Sequence, residues 1–451
     1  MRCELYIQFG DEDVPRAGTL EDPAGAKLLD FIDAFDELDF GVGQFLQSLE
    51  GLDVSPSEKA VDLMVIATAV FLADTSYSRN DYSLDGWTRR FLIHAPVSDP
   101  KVWAAVRDDL GSMLRFLTGD YWKFQFRPRP KAHKKIAGTS GKLDFSDFAP
   151  VTLFSGGLDS LIGAIDLLAS GRKPLLISHY WDGEAASAQR ELREQLEERF
   201  GEDAFANIRG RIGAAKADLD EAGSENSQRS RSFLFYSMAA LAADALESTG
   251  EILIPENGLI ALNVPMERTR LGSSSTRTAH PHFIASMNEL AANTGIDVSF
   301  SNPYGFKTKG EMVSECLDGE LLAELVHLSM SCSSPAKIRW AGEEPKHCGY
   351  CVPCLIRRAA LAAGLDDDDP TEYYLDDLAA NILDSKTAEG KDIRSFLFAL
   401  KSLKRAPERA RFLVRKPGPL PVDRLDDYAD VYRRGMAEVA AILKGVRSRH
   451  G

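Results

Sequence analysis

The sequence lacks the features that define several large classes of protein. No apolar run in its 451 residues reaches the length of a membrane-spanning helix. The first residues, MRCELYIQFGDEDVP, lack the basic-then-apolar order of a signal peptide. Six cysteines are too few for a secreted disulfide scaffold. These absences predict a soluble cytoplasmic protein with no membrane partner.

An excess of basic residues is also absent. The chain has 53 Lys and Arg against 68 Asp and Glu, a formal net charge of −15. An acidic protein is not expected to bind nucleic acid broadly and without specificity. A local basic patch is still compatible with this charge, so a nucleic-acid partner stays open.

Composition and length predict a globular protein of several domains. Hydrophobic residues make up 44% of the chain and charged residues 27%, and the length favours two or three domains. Helical and strand-like stretches alternate in residues 1–126, which predicts a mixed α+β block. Residues 127–147 begin with the proline- and lysine-rich RPRPKAHKK and are interpreted as a basic linker. An α/β domain is predicted over 148–364, and a mainly helical extension over 365–451.

The α/β domain is predicted from strands that alternate with helices. APVTLF, KPLLISHYW and EILIPE are short apolar strands, and helical stretches such as RSFLFYSMAALAADALES lie between them. Strands separated by helices of this length form parallel sheets. The sequence therefore predicts a doubly wound parallel sheet.

A glycine-rich loop, SGGLDS, follows the first of these strands. Two successive glycines let backbone N–H groups approach a ligand, and the helix that follows directs its positive end to the same point. The loop predicts a phosphate site, and its aspartate implies a bridging Mg²⁺. It has no Walker A lysine, and no G-x-S-x-G pattern surrounds its serines. The candidate cofactor-binding residues are Ser155, Gly156, Gly157, Leu158, Asp159 and Ser160, of which Ser155, Asp159 and Ser160 are also candidate catalytic residues.

A cysteine cluster closes the same domain. Three thiols at two-residue spacing lie in CGYCVPC, and a fourth lies upstream in SMSCSSP. Four thiolates at such spacing suit a closed, structural Zn²⁺ site. A disulfide and an iron–sulfur cluster are the alternatives. The candidate metal ligands are Cys332, Cys348, Cys351 and Cys354.

Both motifs resemble those of one enzyme family. SGGLDS matches the SGGxDS loop of the PP-loop ATP pyrophosphatases, and HCGYCVPCLIRRAAL resembles the CGxCxxCxxR ending of QueC, 7-cyano-7-deazaguanine synthase. The resemblance covers about residues 150–362. It implies a PP-loop (HUP-like) core that binds ATP and Zn²⁺. It also implies adenylation of a deazapurine carboxylate, loss of pyrophosphate, and attack by an amine, which in QueC is ammonia.

Three further residues are candidates. Arg231 in RSFLFYS and Lys309 in KTKGEMV fit QueC segments and are candidate catalytic residues, the first as a clamp on phosphate or carboxylate and the second as a neutraliser of the leaving pyrophosphate. His179 ends a predicted strand, where α/β proteins bind ligands, and is a candidate cofactor-binding residue. A surface salt bridge for Arg231, a solvated Lys309 and a structural His179 are the alternatives.

The sequence also departs from QueC. Ser232 replaces an asparagine, and Thr278 and His280 stand where QueC has Asp and Arg near its substrate pocket. The long extensions are absent from ordinary QueC and are similar to the long QueC-like proteins of bacterial anti-phage operons, the QatC group. That resemblance implies partner proteins from a defence operon. The altered residues and the extensions lead to the hypothesis of a macromolecular acceptor, such as a protein amine or a nucleic-acid base, with ammonia as the alternative.

Two other functions stay open at this point. The first is a PP-loop enzyme that modifies tRNA or DNA, which predicts a basic face and a catalytic cysteine. The second is a non-catalytic subunit that senses nucleotide within a defence complex. Pyrophosphate release separates the enzymes from the sensor.

Overall fold

The structure, a computed structural model, describes residues 3–52, 54–83, 85–138, 148–180, 183–213, 225, 229–246, 250–266, 277–365 and 369–449. Its strands are β1 Cys3–Gln8, β2 Lys27–Asp30, β3 Arg90–Val97, β4 Tyr121–Pro128, β5 Val151–Leu153, β6 Leu175–His179, β7 Ala206–Gly210, β8 Glu251–Leu253, β9 Ser299–Ser301, β10 Leu383–Asp384 and β11 Ser448–Arg449. Its α-helices are α1 Val42–Glu50, α2 Glu58–Ser76, α3 Arg79–Tyr82, α4 Pro100–Thr118, α5 Leu158–Ala169, α6 Gly183–Phe200, α7 Arg231–Leu246, α8 Gly258–Leu262, α9 Pro281–Thr294, α10 Lys309–Ser314, α11 Gly319–Leu325, α12 Val352–Gly364, α13 Ala388–Arg405, α14 Ala410–Leu413 and α15 Leu425–Ile442. None of these helices is long and apolar enough to cross a membrane.

The central sheet has the order β7-β6-β5-β8-β9, and every pair in it is parallel. Side chains alternate between its two faces: Leu153 and Ile177 join the core that contains α7, whereas Phe154 and Leu176 join the core that contains α5 and α6. The chain runs outward from β5 to β7 and then returns to the other side for β8 and β9. The prediction of a parallel α/β sheet is confirmed.

The N-terminal block differs from the prediction in the direction of its strands. Its sheet, β2-β1-β3-β4, is also parallel throughout. Such a sheet is α/β, so the predicted α+β architecture is wrong here. The strand-like pieces do form β1, β3 and β4, but short apolar runs indicate strands without indicating their direction.

Helix α2 joins the two sheets. It contacts β3 on one side and α7 on the other, and nearly all of its residues are buried. A single hydrophobic core therefore runs from β1 to β9. The boundary between residues 126 and 148 stays a prediction.

The first part of the predicted linker packs against the N-terminal block. Arg129 is buried and ion-pairs with Glu58 and Asp62, and the Glu58 carboxylate accepts hydrogen bonds from the backbone of residues 136 and 137. These contacts hold the segment in place, and Arg129 is not solvated. Residues 139–147 of the predicted linker lie outside the described residues.

The C-terminal region, predicted as a mainly helical extension, contains α13, α14 and α15 and packs on the α/β block. Helix α15 contacts α8, α10 and α12, and α13 contacts α12 and α15. Together they enclose a second apolar core. The extension therefore forms one wall of the region that contains the candidate site.

Candidate active site

The SGGLDS loop connects β5 to α5 through a sharp turn. Gly156 has a φ of +82°, which L side chains rarely adopt, and its carbonyl accepts a hydrogen bond from the Met330 amide at 2.8 Å. A Cβ on Gly157 would lie 3.4 Å from Ser155 Oγ and 3.5 Å from the Met330 carbonyl. Gly156 therefore adopts a conformation that favours glycine where the loop turns beside the segment that precedes the cysteine cluster. A Cβ on Gly157 would make only ordinary van der Waals contacts there.

Backbone amides and hydroxyls converge at the start of α5. The Gly157 amide donates to Ser155 Oγ and the Leu158 amide donates to Ser331 Oγ, each at a distance of 3.4 Å. Ser160 Oγ donates to the Gly157 carbonyl at 2.9 Å and lies 3.2 Å from Ser155 Oγ. Weakly bonded amides at a helix N-terminus, with hydroxyls beside them, suit an anion such as phosphate.

Asp159 and Lys309 form a buried ion pair beside the loop. Lys309 Nζ lies 3.1 Å from Asp159 Oδ1, and both side chains are under a tenth exposed. Asn257 donates to Asp159 Oδ2 from its side chain at 2.7 Å and its backbone at 3.2 Å. The alternative of a solvated Lys309 is wrong. Since Lys309 already balances Asp159, the aspartate by itself does not require a bridging Mg²⁺.

Glu256 shares this site with Asp159. Burial raises the pKa of Glu256 well above its ordinary value, and the charge of Asp159 raises it further. For Asp159, burial also acts to raise the pKa, but Lys309 and hydrogen bonds from Glu256 and Asn257 outweigh it and lower the pKa. Glu256 is therefore the protonated partner, and Asp159 the ionised one.

His179 and Arg231 form a second pair at the end of β6. Arg231 Nε donates to His179 Nδ1 at 3.2 Å, and His179 Nε2 contacts the Ile212 carbonyl at 3.2 Å. Burial, and then the charge of Arg231, lower the pKa of His179 to about 3. The ring is therefore neutral, with its proton on Nε2. Gln189 joins the pair to the loop because its amide donates to the carbonyls of Ser155 and His179.

The four cysteines lie together as predicted. Their sulfur atoms are all within 4.8 Å of one another, with Cys332 and Cys351 4.0 Å apart and Cys348 and Cys354 3.8 Å apart. A tetrahedral zinc with bonds of about 2.3 Å requires sulfur atoms about 3.8 Å apart. Cys351 occupies the N-cap position of α12, whose positive end favours thiolates. The cluster could therefore hold a metal ion.

Two of the three residues that depart from the QueC pattern, Ser232 and Thr278, contact each other. Ser232 Oγ and Thr278 Oγ1 are 2.6 Å apart, and Tyr236 donates to the Thr278 carbonyl. His280 caps α9 by accepting from the His282 amide, and its ring packs against Phe116 of α4. The two changes at 232 and 278 thus form one hydroxyl pair, while His280 has a structural role in the described residues.

Acid should destabilise the protein in part through His280. Burial, and then Arg277, lower the pKa of His280 from 6.5 to about 3. The stability that comes from keeping His280 neutral is therefore fully present above pH 6.5 and is lost as the pH falls toward 3, because the unfolded chain then binds a proton that the folded protein does not. His280→Asn keeps a capping oxygen but cannot titrate. When the pH is lowered from about 7.5 to 5.5, we expect the free energy of unfolding to fall by about 1.4 kcal/mol less in this variant than in the wild type.

Urea denaturation at the two pH values measures this difference. The packing that is lost with the imidazole ring is the same at both, so only the pH dependence counts. Exposed His327→Asn serves as the control and should behave as the wild type. An unchanged pH dependence for His280→Asn would contradict the assignment.

An aspartate of the N-terminal block fixes the start of α7. Asp74 Oδ2 accepts from the backbone amide and hydroxyl of Ser230, at 2.9 and 2.8 Å, while its other oxygen pairs with buried Arg89. We expect Asp74→Asn to lower the free energy of unfolding by about 3 to 5 kcal/mol, the usual cost of breaking a buried ion pair. Since Arg231 is the next residue, hydrogen exchange in the first turn of α7 should also rise.

The control is Asp109→Asn on the exposed face of α4. It removes the same charge without a buried partner, and surface changes of this kind stay within about 0.5 kcal/mol. Equal stability and equal exchange in the two variants would show that Asp74 does not position α7.

Several residues of the site have no signal in the local sequence. Three of them contact the site from elsewhere in the chain: Gln189 on α6, Ser331 just before Cys332, and Glu438 on α15. Glu438 accepts from the Gly310 amide at 3.3 Å and from the Thr308 hydroxyl, at the capping box that begins α10. The predicted candidates form two groups around the loop, with Asp159 and Lys309 in one and His179 and Arg231 in the other.

Comparison with known proteins gives two relatives. No protein-family model matches the chain. It is 29% identical over 243 residues to 7-cyano-7-deazaguanine synthase 2 of Sulfurisphaera tokodaii, covering 49% of this chain and 47% of that protein. It is 27% identical over 239 residues to the 7-cyano-7-deazaguanine synthase of Saccharolobus solfataricus, covering 49% and 46%. The chain thus spans about half the length of these curated relatives, and over that half the matches support a QueC-like family.

Proposed function

We propose that the chain is an ATP-dependent ligase that activates a 7-deazaguanine-type carboxylate. A carboxylate oxygen attacks the α-phosphorus of ATP, the bond to the β-phosphate oxygen breaks, and pyrophosphate leaves. An amine then attacks the acyl carbon and AMP leaves, which gives an amide. Conversion of that amide to a nitrile removes one water and needs a second activation.

The observation that carries this proposal is the arrangement around the SGGLDS loop. The loop lies at the carboxyl end of β5, next to β8, where the order of the sheet changes direction, and ligands of doubly wound sheets bind at such points. Amides and hydroxyls there suit phosphate oxygens, and Lys309 and Arg231 add positive charge on two sides. The names of the two relatives supply the substrate class.

Each candidate residue has a part in this reaction. The loop amides and the hydroxyls of Ser155 and Ser160 bind the leaving pyrophosphate. Lys309 offsets its charge, and Asp159 holds Lys309 in place. Arg231, oriented by neutral His179, binds phosphate or carboxylate from the opposite side.

Two metal ions belong to the proposal. ATP enters as its Mg²⁺ complex, which offsets phosphate charge. Zn²⁺ is held by the four cysteines, whose spacing fits it, and has a structural role because four protein ligands leave no open position.

The acceptor and the biological setting are proposed from the long extensions. Long QueC-like proteins occur in bacterial anti-phage operons, and we place this chain in that QatC group on resemblance. A defence operon supplies partner proteins there, and the acceptor is an amine on a macromolecule. The hydroxyl pair of Ser232 and Thr278 replaces QueC residues near the substrate pocket, which supports a changed substrate or acceptor.

The test is pyrophosphate release from ATP and Mg²⁺ with 7-carboxy-7-deazaguanine, with and without ammonia. We expect release that requires the deazapurine and that falls at least about 100-fold when Ser155 and Ser160 are both replaced by alanine. ATP binding without release would favour the nucleotide sensor. Acceptor labelling confined to ammonia would contradict the macromolecular acceptor.

A further inference from the structure

A second cavity lies beside the cysteine cluster, between the α/β block and the C-terminal extension. Its volume is about 460 Å³, within the range of small-molecule sites. One wall is the segment Leu259–Met266 at and after α8, a second is the turn from Cys348 to Ile356, and the third comes from α13 and α15. None of the described loop residues 155–160 lines it.

Two segments that contact the phosphate loop continue into this cavity. Asn257 binds Asp159, and Leu259, two residues later, lines the cavity. Ser331 accepts from the Leu158 amide, and Ser333, two residues later, also lines it. Two residues of chain span at most about 7 Å. Leu259 and Ser333 therefore lie close, in space as well as in sequence, to the two residues that bond to the phosphate loop.

The lining suits a flat aromatic ligand with one acidic end. Three aromatic side chains, Tyr350, Phe396 and Tyr432, lie in the walls together with the thioethers of Met266 and Met436. Aromatic rings and thioethers pack well against planar rings. Lys337 and Lys391 lie in the same lining with one carboxylate, Asp392, which accepts from the Val352 amide. Two cations against one anion favour an acidic substituent.

We propose that this cavity binds the planar heteroaromatic acid that the enzyme activates, with its carboxylate directed to the phosphate loop. This inference rests on the proposed function and deepens it, because α13 and α15 of the C-terminal extension then determine which acid is accepted. Phe396, Tyr432 and Met436 act as specificity-determining residues that hold the ring system. The extension is thus part of the substrate site.

Ala388→Trp tests the assignment. Ala388 lines the cavity from the first turn of α13 and is exposed, so an indole at this position fills space without removing core atoms. Lys401→Trp, exposed on the same helix and outside the lining, is the matched control. The probe is 7-carboxy-7-deazaguanine, titrated calorimetrically into the full chain in the presence of α,β-methylene-ATP.

We expect the dissociation constant of the probe to rise at least about ten-fold in Ala388→Trp, which corresponds to about 1.4 kcal/mol, and to stay within about two-fold in Lys401→Trp. Affinity for α,β-methylene-ATP should be unchanged in both. Wild-type affinity for the probe in Ala388→Trp would overturn the cavity assignment.

Failure of the proposed function is distinguishable from failure of this inference. Probe binding that Ala388→Trp blocks, without pyrophosphate release, supports the cavity and contradicts the adenylation. Deazapurine-dependent release that Ala388→Trp leaves unchanged supports the adenylation and overturns the cavity. Absence of probe binding to the wild type overturns the cavity as a site for this class of acid.

Discussion

Lys309→Met should reduce deazapurine-dependent pyrophosphate release by about 100- to 1,000-fold, the usual effect of removing one group that stabilises charge in a transition state. Methionine is similar in length and keeps the buried methylene packing. It lacks the ammonium group, which lies 3.1 Å from Asp159 beside the phosphate loop. The charge that develops on the leaving pyrophosphate then loses a buried cation beside the loop.

Lys309→Met should also destabilise the folded protein, and this effect must be distinguished from the loss of catalysis. Removing one partner of a buried ion pair costs about 3 to 5 kcal/mol because the other charge stays buried. In Lys309→Met the pKa of Asp159 would rise, since Lys309 is the strongest influence that lowers it.

The double variant Asp159→Asn/Lys309→Met separates the two components. It removes both charges, so we expect it to recover most of the unfolding free energy that Lys309→Met loses. Release should stay low if Lys309 neutralises pyrophosphate. Recovery of both stability and release in the double variant would show that Lys309 serves only to balance Asp159.

Lys307→Met is the matched control. Lys307 lies in the same polar turn, is partly exposed and pairs with Glu315 at 2.7 Å. Exposed pairs of this kind contribute about 0.2 to 1 kcal/mol. We expect near-normal stability and release, measured by urea denaturation and by pyrophosphate production under saturating ATP.

The candidate site was predictable where its residues are adjacent in sequence. Ser155 to Ser160 form one turn, and three of the cysteines lie close together between Cys348 and Cys354, so spacing alone indicated an anion site and a metal site. Backbone geometry between a strand and a helix is local, and the structure has the same order of elements. The strands and helices of the α/β block were predictable for the same reason.

The contacts between these motifs were not predictable. The segment Met330–Ser331 bonds to the loop across about 170 residues of sequence, and Asp74 reaches Ser230 across 156. Nothing in the local sequence marks Ser331 or Asp74 as a partner, because such contacts depend on how the sheets pack. The parallel direction of β1, β3 and β4 was missed because strand direction depends on the crossover path.

Loss of a metal from the cysteine cluster should strongly reduce the stability of the fold around it. Cys354→Ser removes a sulfur that is buried at the centre of the cluster. Structural zinc sites contribute about 10 to 16 kcal/mol in small domains, which is comparable to the whole net stability of a typical protein. We expect the wild type to contain one zinc per chain, and the variant to lose it and to become protease-sensitive between residues 330 and 354.

Cys316→Ser is the control, since Cys316 is half-buried, lies outside the cluster and has its sulfur 3.8 Å from the Asp318 carbonyl. Its zinc content and protease resistance should match the wild type. Elemental analysis by mass spectrometry decides the metal. Iron together with visible absorbance would show an iron–sulfur cluster instead of zinc. Absence of any metal in the wild type would contradict the metal site.

Loss of zinc should also weaken ATP binding at the phosphate loop. This effect on the loop distinguishes loss of zinc from unfolding confined to the cysteine cluster. The Met330 amide and Ser331 hydroxyl bond to the backbone of Gly156 and Leu158, and Cys332 is the next residue. Ligation of Cys332 by a metal would therefore anchor the segment of chain that holds the loop in its turn. We expect the dissociation constant for ATP to rise in Cys354→Ser before global unfolding begins. Unchanged ATP affinity in a zinc-free, folded variant would show that the loop keeps its shape without the cluster.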